Sequence, residues 1–418
     1  MKPMIGIEAI SVYFPRTFIS MEEFAKGQGM DLQRYVSGLG CKKMAIPEPH
    51  EDTVTMACEA AWQLMRKNNV SKKDIGLVVV GTETGVDLSK PVASFVQGLL
   101  DLSNDILVFD TKHACLSGTV ALVSACALLQ VGAISRKALV IASDIARYDH
   151  MSRAEATQGA GAVAMLVSKD APFFVLDTVQ GSYFSRDDYD FFRPIYRDTA
   201  VVQGRYSIEC YLEACERTFQ EYVDRTGKSL VDFDYLLFHC PFPKMVQKAF
   251  EKVYRIDEKR GLQGLPPLET LYEEKVSPGI AYAGEIGNSY SASLYLCLAT
   301  LLECAPSSSL EGKSVGLFSY GSGLCASFFS GRFTAEANTW KGRTGLIEML
   351  EGRKALDYRS YLALRESWEA KQKNGSFDST TNAQGFAFLG VKEDRRFYKG
   401  RSSHLTPSAS TSSDNKGT

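Results

Sequence analysis

The ten cysteines of this 418-residue chain include no Cys-x-x-Cys pair, and only five histidines stand with them. Zinc is held by closely spaced thiolates and imidazoles, so no metal site is expected. Charge of one sign is also missing, with 47 Lys and Arg against 49 Asp and Glu, a formal net charge of −2. A nucleic-acid binder needs a basic excess to meet phosphates, and that class is set aside. No apolar run long enough to cross a bilayer occurs, and "MKPMIGIEAISVYFP" lacks the charged head and apolar centre of a secretory leader. The expectation is a soluble, cytoplasmic protein that uses neither membrane, metal nor nucleic acid. Its cysteines are read as reduced thiols packed as small hydrophobes.

What the chain does have is a 45% hydrophobic composition, enough for a large core, and an internal repetition. Three kinds of segment occur twice in the same order. Apolar strands end in a polar residue at "LVVVGTET", carrying Glu83, and at "YLLFHCPF", carrying His239. A strand, a turn and a helix rich in small residues are read in "ILVFDTKHACLSGTVALVSACALL" and again in "AYAGEIGNSYSASLYLCLATLL". Helices apolar all round are buried helices. Glycine turns feed strands at "QGAGAVAMLVS" and "YGSGLCASFFS".

This pattern predicts an α/β fold of two similar halves, residues 1–170 and 171–330, with mostly parallel sheets enclosing two central helices. Residues 331–401 read as a charged helix and one strand packed on the core, and 402–418 as a disordered tail.

Cys115 opens the first small-residue helix. Taken alone it is either a nucleophile or a compact core residue. A helix N-terminus favours thiolate, which lowers a cysteine pKa, and Ala114, Ser117, Gly118 and Thr119 leave room for an acyl group above the sulfur. Glu83 is either a base whose pKa is raised among apolar strand ends or a solvated strand-end residue. His239 is either functional or hydrogen-bonded within the core.

The motifs "GTETGVDLSKP", "HACLSGTVAL", "ASDIARY", "QGAGAVAML", "YDFFRP", "FHCPFPKMVQKA", "GNSYSASLYL" and "SYGSGLCASFFS" run in one order over nearly the whole chain. In this the chain resembles the 3-hydroxy-3-methylglutaryl (HMG) synthase family of the thiolase superfamily. The resemblance implies a thiolase fold, a five-layered αβαβα sandwich, commonly as a homodimer. It further implies that Cys115 accepts an acetyl group from a thioester, that Glu83 removes a methyl proton from it, and that His239 polarises and protonates the β-keto carbonyl of a second substrate. An oxyanion hole is expected from the Cys115 N–H and the Gly321-Ser322 turn. Asn288 and Tyr148 match substrate-orienting positions, with a turn former and a half-buried aromatic as the alternatives. Lys244 and Lys248 match lysines at a phosphopantetheine entrance, or form a solvated helix face.

Within the family, "LSGT" after the nucleophile and the lack of a proline before Thr157 resemble the β-branching enzymes of polyketide assembly, of the curacin type, more than the coenzyme A enzymes. The implied partners are an acetyl-donor and an acceptor acyl carrier protein, whose phosphopantetheine arms carry the substrates, with no bound cofactor. The coenzyme A enzyme of mevalonate formation is the alternative, and a non-catalytic carrier-binding scaffold is the alternative of another class. "RDDYDFFRPIYR" is a candidate docking loop, unless its arginines pair with its own aspartates.

Overall fold

The computed structural model describes residues 4–170, 172–177, 181–306 and 309–401; the tail read over 402–418 lies outside the described residues. The first half supplies β1 (Gly6–Tyr13), β2 (Ile75–Gly81), β3 (Leu107–Thr111), β4 (Lys137–Ala146) and β5 (Gly159–Ser168). The second supplies β6 (Phe174–Leu176), β7 (Ser182–Ser185), β8 (Tyr235–Phe238), β9 (Ser314–Gly321) and β10 (Cys325–Phe333). They form one hydrogen-bonded path, β8-β9-β10-β6-β1-β5-β4-β2-β3, with β7 paired to β10.

The two halves follow one plan. In each, the first strand lies antiparallel to the last, the last antiparallel to its predecessor, and that strand parallel to the one ending at Glu83 or His239. The half-sheets meet where Gly6 and Ile7 pair with Val175 and Phe174. Any side chain at Gly6 would collide with the Phe174 carbonyl, so this junction needs glycine. The expectation of mostly parallel strands is corrected, because three ladders are parallel and six antiparallel. A strand buried on both faces is apolar throughout whatever its direction, so hydropathy does not report direction.

Six of the helices frame the sheet: α1 (Thr53–Lys67), α2 (Ser117–Gln130), α3 (Gly204–Thr226), α4 (Pro243–Lys259), α5 (Ser293–Cys304) and α6 (Tyr358–Lys371). Helix α1 covers β1, β4 and β5 on the outer face of the first half, and α3 with α4 covers the second. Helices α2 and α5 lie between, α5 touching β8 and β9 of its own half and β1 and β5 of the other. Every residue from Ser293 to Glu303 is buried, as a helix with sheets on both sides requires. The five layers of a thiolase fold follow.

Two further expectations change. The stretch that begins at Ala281, read as a strand, is helical instead, with short helices at Ser277–Ile280 and Ala283–Ile286, so among the described residues the second half shows no counterpart of β3. The last segment is a hairpin, β11 (Ala387–Lys392) and β12 (Arg395–Lys399), turned by Glu393 and Asp394 in left-handed conformation. It is anchored on α1. Arg396 and the Tyr398 hydroxyl both donate to Oδ2 of Asp52, the α1 N-cap, at 2.8 and 2.7 Å, and Arg401 holds Glu59 at 2.6 Å.

Candidate active site

Cys115 sits in the turn between β3 and α2, two residues ahead of the helix. Ser117 Oγ accepts from His113 N–H and donates to the Ala114 carbonyl, at 2.8 and 2.7 Å, and between them Ala114 takes a left-handed φ of 41°. Alanine rarely adopts that region, and a tight hydrogen-bonded turn holds it there. The sulfur is thereby presented to the turn after β2, where Cys115 Sγ donates to Glu83 Oε1 at 3.0 Å. Two residues that are 32 positions apart in sequence meet directly.

The expected thiolate is not what this environment favours. Burial first, then the charge of Glu83, raises the Cys115 pKa well above its ordinary value. Leu116 is the N-cap and supplies no side-chain bond, and the partial charge of a helix end is worth less than full burial beside a carboxylate. Glu83 is itself pushed up to about 8, by burial first and next by the negative charge of Asp144, against the opposing effects of the Cys115 thiol and Arg193. Such a carboxyl shares the thiol's proton and becomes a strong base when it ionises. The room expected around the sulfur is also differently used. Gly118 packs against the Ser291 carbonyl, and Thr119 Oγ1 meets Ser319 Oγ at 2.7 Å, so the small residues let α2 approach the second half.

Two buried aspartates, without an assigned role in the sequence reading, organise these turns. Asp144 Oδ1 accepts from Thr82 Oγ1 (2.7 Å), Glu83 N–H (2.9 Å), Thr84 N–H (2.9 Å) and Thr84 Oγ1 (2.6 Å). Its Oδ2 accepts from Ser291 N–H at 3.0 Å and from the Ser291 hydroxyl. One carboxylate thus fixes the Glu83 turn of the first half to the start of α5 in the second. Asp190 accepts from the Tyr320 hydroxyl at 2.6 Å and from Gly323 N–H at 2.9 Å, which sets the turn containing Gly321 and Ser322. The available signal was an aspartate inside an apolar strand, "LVIASDIA", since a carboxylate buried there needs partners.

His239 follows β8 and is 3% exposed. Its N–H donates to the Phe318 carbonyl at 2.7 Å, its ring Nδ1 meets Ser293 Oγ at 2.6 Å, and Ser293 Oγ accepts from Cys240 N–H. Burial drives its pKa down to about 3, so the ring is neutral at ordinary pH. A neutral imidazole still carries one ring N–H, so the ring keeps a hydrogen bond and a proton to offer. Its neighbour β9 meets α2 through Ser319, and the turn leading into α5 meets α2 through Ser291.

Around the sulfur, Tyr148, Phe191, Tyr290, Ala146 and Ala200 form a small apolar cluster with Cys115. Tyr148 is buried, as is Asn288, whose Oδ1 accepts from Tyr290 N–H at 2.9 Å and shapes the approach to α5. Gly321 lies against the His113 carbonyl and Leu116, with no space for a side chain, while Ser322 is half-buried beyond it. Among the described residues the Cys115 N–H donates to no protein acceptor. Lys244 and Lys248 occupy the first turns of α4, Lys248 exposed and Lys244 donating to Gln247 Oε1 at 3.0 Å beside a groove that also holds Glu269 and Glu273. The candidate loop is mixed. Arg186 pairs with Asp188 within it, Arg197 with Asp149 outside it, and Arg193 donates to the Glu83 carbonyl.

Comparison with known proteins places this geometry among relatives. Residues 2–172 match the family model "Hydroxymethylglutaryl-coenzyme A synthase N terminal", and residues 174–266 and 267–385 match its C-terminal counterpart. A hydroxymethylglutaryl-CoA synthase of Enterococcus faecalis is 35% identical over 362 residues, 86% of this chain and 91% of that protein. The polyketide biosynthesis 3-hydroxy-3-methylglutaryl-ACP synthase PksG of Bacillus subtilis is 33% identical over 370 residues, 85% of this chain and 86% of its own. The crystal structure of the curacin biosynthetic pathway HMG synthase in complex with holo donor-ACP superposes with a TM-score of 0.85 at 30% identity, over 95% of this chain and 99% of the other.

Proposed function

The chain belongs to the hydroxymethylglutaryl-coenzyme A synthase family, and from that premise we propose that it condenses acetyl and acetoacetyl-type groups carried on acyl carrier protein. Its reaction class is the family's, acyl transfer that forms a carbon–carbon bond. The observation that carries the reading is the 3.0 Å contact of Cys115 with Glu83 in an apolar pocket.

The thiol attacks the donor thioester, the carbonyl carbon bonds to Sγ, and the carrier leaves as thiol with the proton that Cys115 gives up. Negative charge on the carbonyl oxygen faces the open Cys115 N–H and the turn at Gly321 and Ser322. Glu83 then removes a proton from the acetyl methyl, and the resulting carbon adds to the β-carbonyl of the acceptor. Neutral His239 hydrogen-bonds that oxygen and gives it a proton to form the tertiary alcohol, and the proton taken up by Glu83 balances the one the ring gives up. Water cleaves the acyl–sulfur bond. Asn288 and Tyr148 orient the acyl groups, while Lys244 and Lys248 meet the phosphate of the phosphopantetheine arm. Nothing in this sequence of steps calls for a bound cofactor.

Carrier protein is favoured over coenzyme A by the segment beside Glu83. Ile195 and Tyr196 are each 85% exposed at the tip of that loop, an apolar patch suited to a protein partner rather than to a nucleotide. The alternative, a coenzyme A enzyme, is supported by relatives of that name at comparable identity. We further propose a homodimer, because β3 is a sheet edge with Leu107 exposed, and Val120 of α2 and Val131 just beyond its end are exposed as well. The deciding experiment offers acetyl-carrier protein and acetyl-coenzyme A to the protein separately and follows acetylation of Cys115 by mass spectrometry. Faster acetylation from the carrier, slowed selectively by Ile195→Asp, is expected. Faster acetylation from coenzyme A refutes the carrier assignment, and no acetylation from either leaves the scaffold reading.

A further inference from the structure

Tyr290 is 3% exposed, belongs to the same apolar cluster as Cys115, and among the described residues its hydroxyl has no hydrogen-bond partner. A buried donor without an acceptor is costly and uncommon in native proteins. Its nearest polar neighbour is the Tyr148 hydroxyl, which weighs on Tyr290 as a hydrogen-bonding group yet lies outside the geometry of a formed bond. The backbone is strained as well, with Tyr290 at a φ of 47°. That strain is held from both sides, by the Asn288 side chain on Tyr290 N–H and by Asp144 on Ser291 N–H. Phe191 packs edge-on against the ring at 5.6 Å and fixes its direction. Two costs, an empty donor and a left-handed tyrosine, are thus maintained at one place beside the nucleophile. Such concentrations mark positions selected for a ligand rather than for the fold.

We propose that the Tyr290 hydroxyl is a catalytic hydrogen-bond donor to the carbonyl oxygen of the acetyl group on Cys115. This rests on the acyltransferase reading above and deepens it. When Glu83 takes a methyl proton, the C–H electron pair becomes the carbon–carbon double bond and the carbonyl pair moves to oxygen. The charge that grows there meets a donor already in position and already stripped of water, so no reorganisation is needed. Tyr290 lies in the same apolar cluster as Cys115, the residue that carries the acetyl group.

The test is uptake of deuterium from heavy water into the acetyl methyl of the acetyl-enzyme, read by mass spectrometry, together with thermal melting. Tyr290→Phe keeps the ring contact with Phe191 and removes only the unpaired hydroxyl. Exchange is expected to fall about 10- to 100-fold, with a melting temperature equal to or above that of the wild type, since a buried orphan has gone. Exchange at the wild-type rate, or slower exchange accompanied by a lower melting temperature, overturns the proposal. Replacing Tyr290 by 3-fluorotyrosine keeps shape and strengthens the donor, so exchange at or above the wild-type rate is expected, and a loss contradicts the proposal. Wild-type protein that never carries acetyl on Cys115 overturns the acyltransferase reading itself. Wild-type exchange that Tyr290→Phe leaves unchanged overturns only the role of Tyr290.

Discussion

Replacing Asp144 by asparagine removes a charge while nearly keeping shape, and its consequences can be worked from the hydrogen bonds. Six donors converge on the carboxylate, four from Thr82, Glu83 and Thr84 and two from Ser291. An asparagine has one acceptor oxygen, so its NH2 group must face one of these sets. Turned toward Ser291, it leaves that residue's buried N–H opposite another donor, at a cost of about 1–3 kcal/mol. The remaining bonds lose their charge-assisted character, for which a further ~1–2 kcal/mol is reasonable. Destabilisation of about 3 kcal/mol is therefore expected in urea unfolding, a large part of a typical total stability. A second effect is independent of stability. The negative charge of Asp144 helps hold the Glu83 carboxyl up near 8, so Asp144→Asn should move the rising limb of the pH profile for methyl deuterium exchange toward lower pH. Stability within about 0.5 kcal/mol of wild type, with an unmoved pH profile, would refute the claim that this carboxylate ties the two halves together and tunes the base.

Other perturbations have equally definite signs. Because Glu83 must lose a proton held up to about 8, methyl exchange should increase as pH rises through that value, and a profile already flat from pH 6 contradicts the assignment. The same shift means that folded protein binds this proton more tightly than unfolded protein does. Its stabilising contribution is complete below the ordinary carboxyl range and declines as pH climbs toward 8, so Glu83→Gln should flatten that part of a stability-versus-pH curve. Arg396→Ala leaves Asp52 with only the Tyr398 hydroxyl on Oδ2 and should destabilise by about 3 kcal/mol, read by denaturant unfolding; no change shows that the hairpin clasp is dispensable. Leu107→Lys should convert a dimer to monomer in sedimentation analysis, and a wild type that is already monomeric removes the edge-strand interface.

The duplicated plan was legible because burial imposes the same composition on equivalent pieces. Apolar strands at Ile75–Gly81 and Tyr235–Phe238 and small-residue helices at Ser117–Gln130 and Ser293–Cys304 read correctly from hydropathy alone. Strand direction did not, since a central strand contacts neighbours through its backbone and the side chains carry no record of polarity. The stretch that begins at Ala281 was misread because a short apolar segment with glycine suits a strand or a helical turn equally well. At the site, Glu83, Cys115 and His239 stood out as polar residues at the ends of buried elements, each with a structural alternative, and only the family resemblance assigned them roles. Asp144, Asp190 and Tyr290 act through partners more than a hundred positions away or through a positive φ, and neither is written in local sequence. The ionisation of Cys115 was misjudged for a related reason, as the helix end was evident while the carboxylate 3.0 Å away was not.

The account depends on division of labour between one sulfur and one carboxyl group, and one mass-spectrometric measurement addresses both. Wild-type protein and Glu83→Gln are incubated with acetyl donor in heavy water, and peptides containing Cys115 are weighed. Wild type should carry a single acetyl group on Cys115 with deuterium in its methyl, while Glu83→Gln, where it acetylates at all, should carry that group without deuterium. Acetyl found on another residue, or equal deuterium in both proteins, would contradict it.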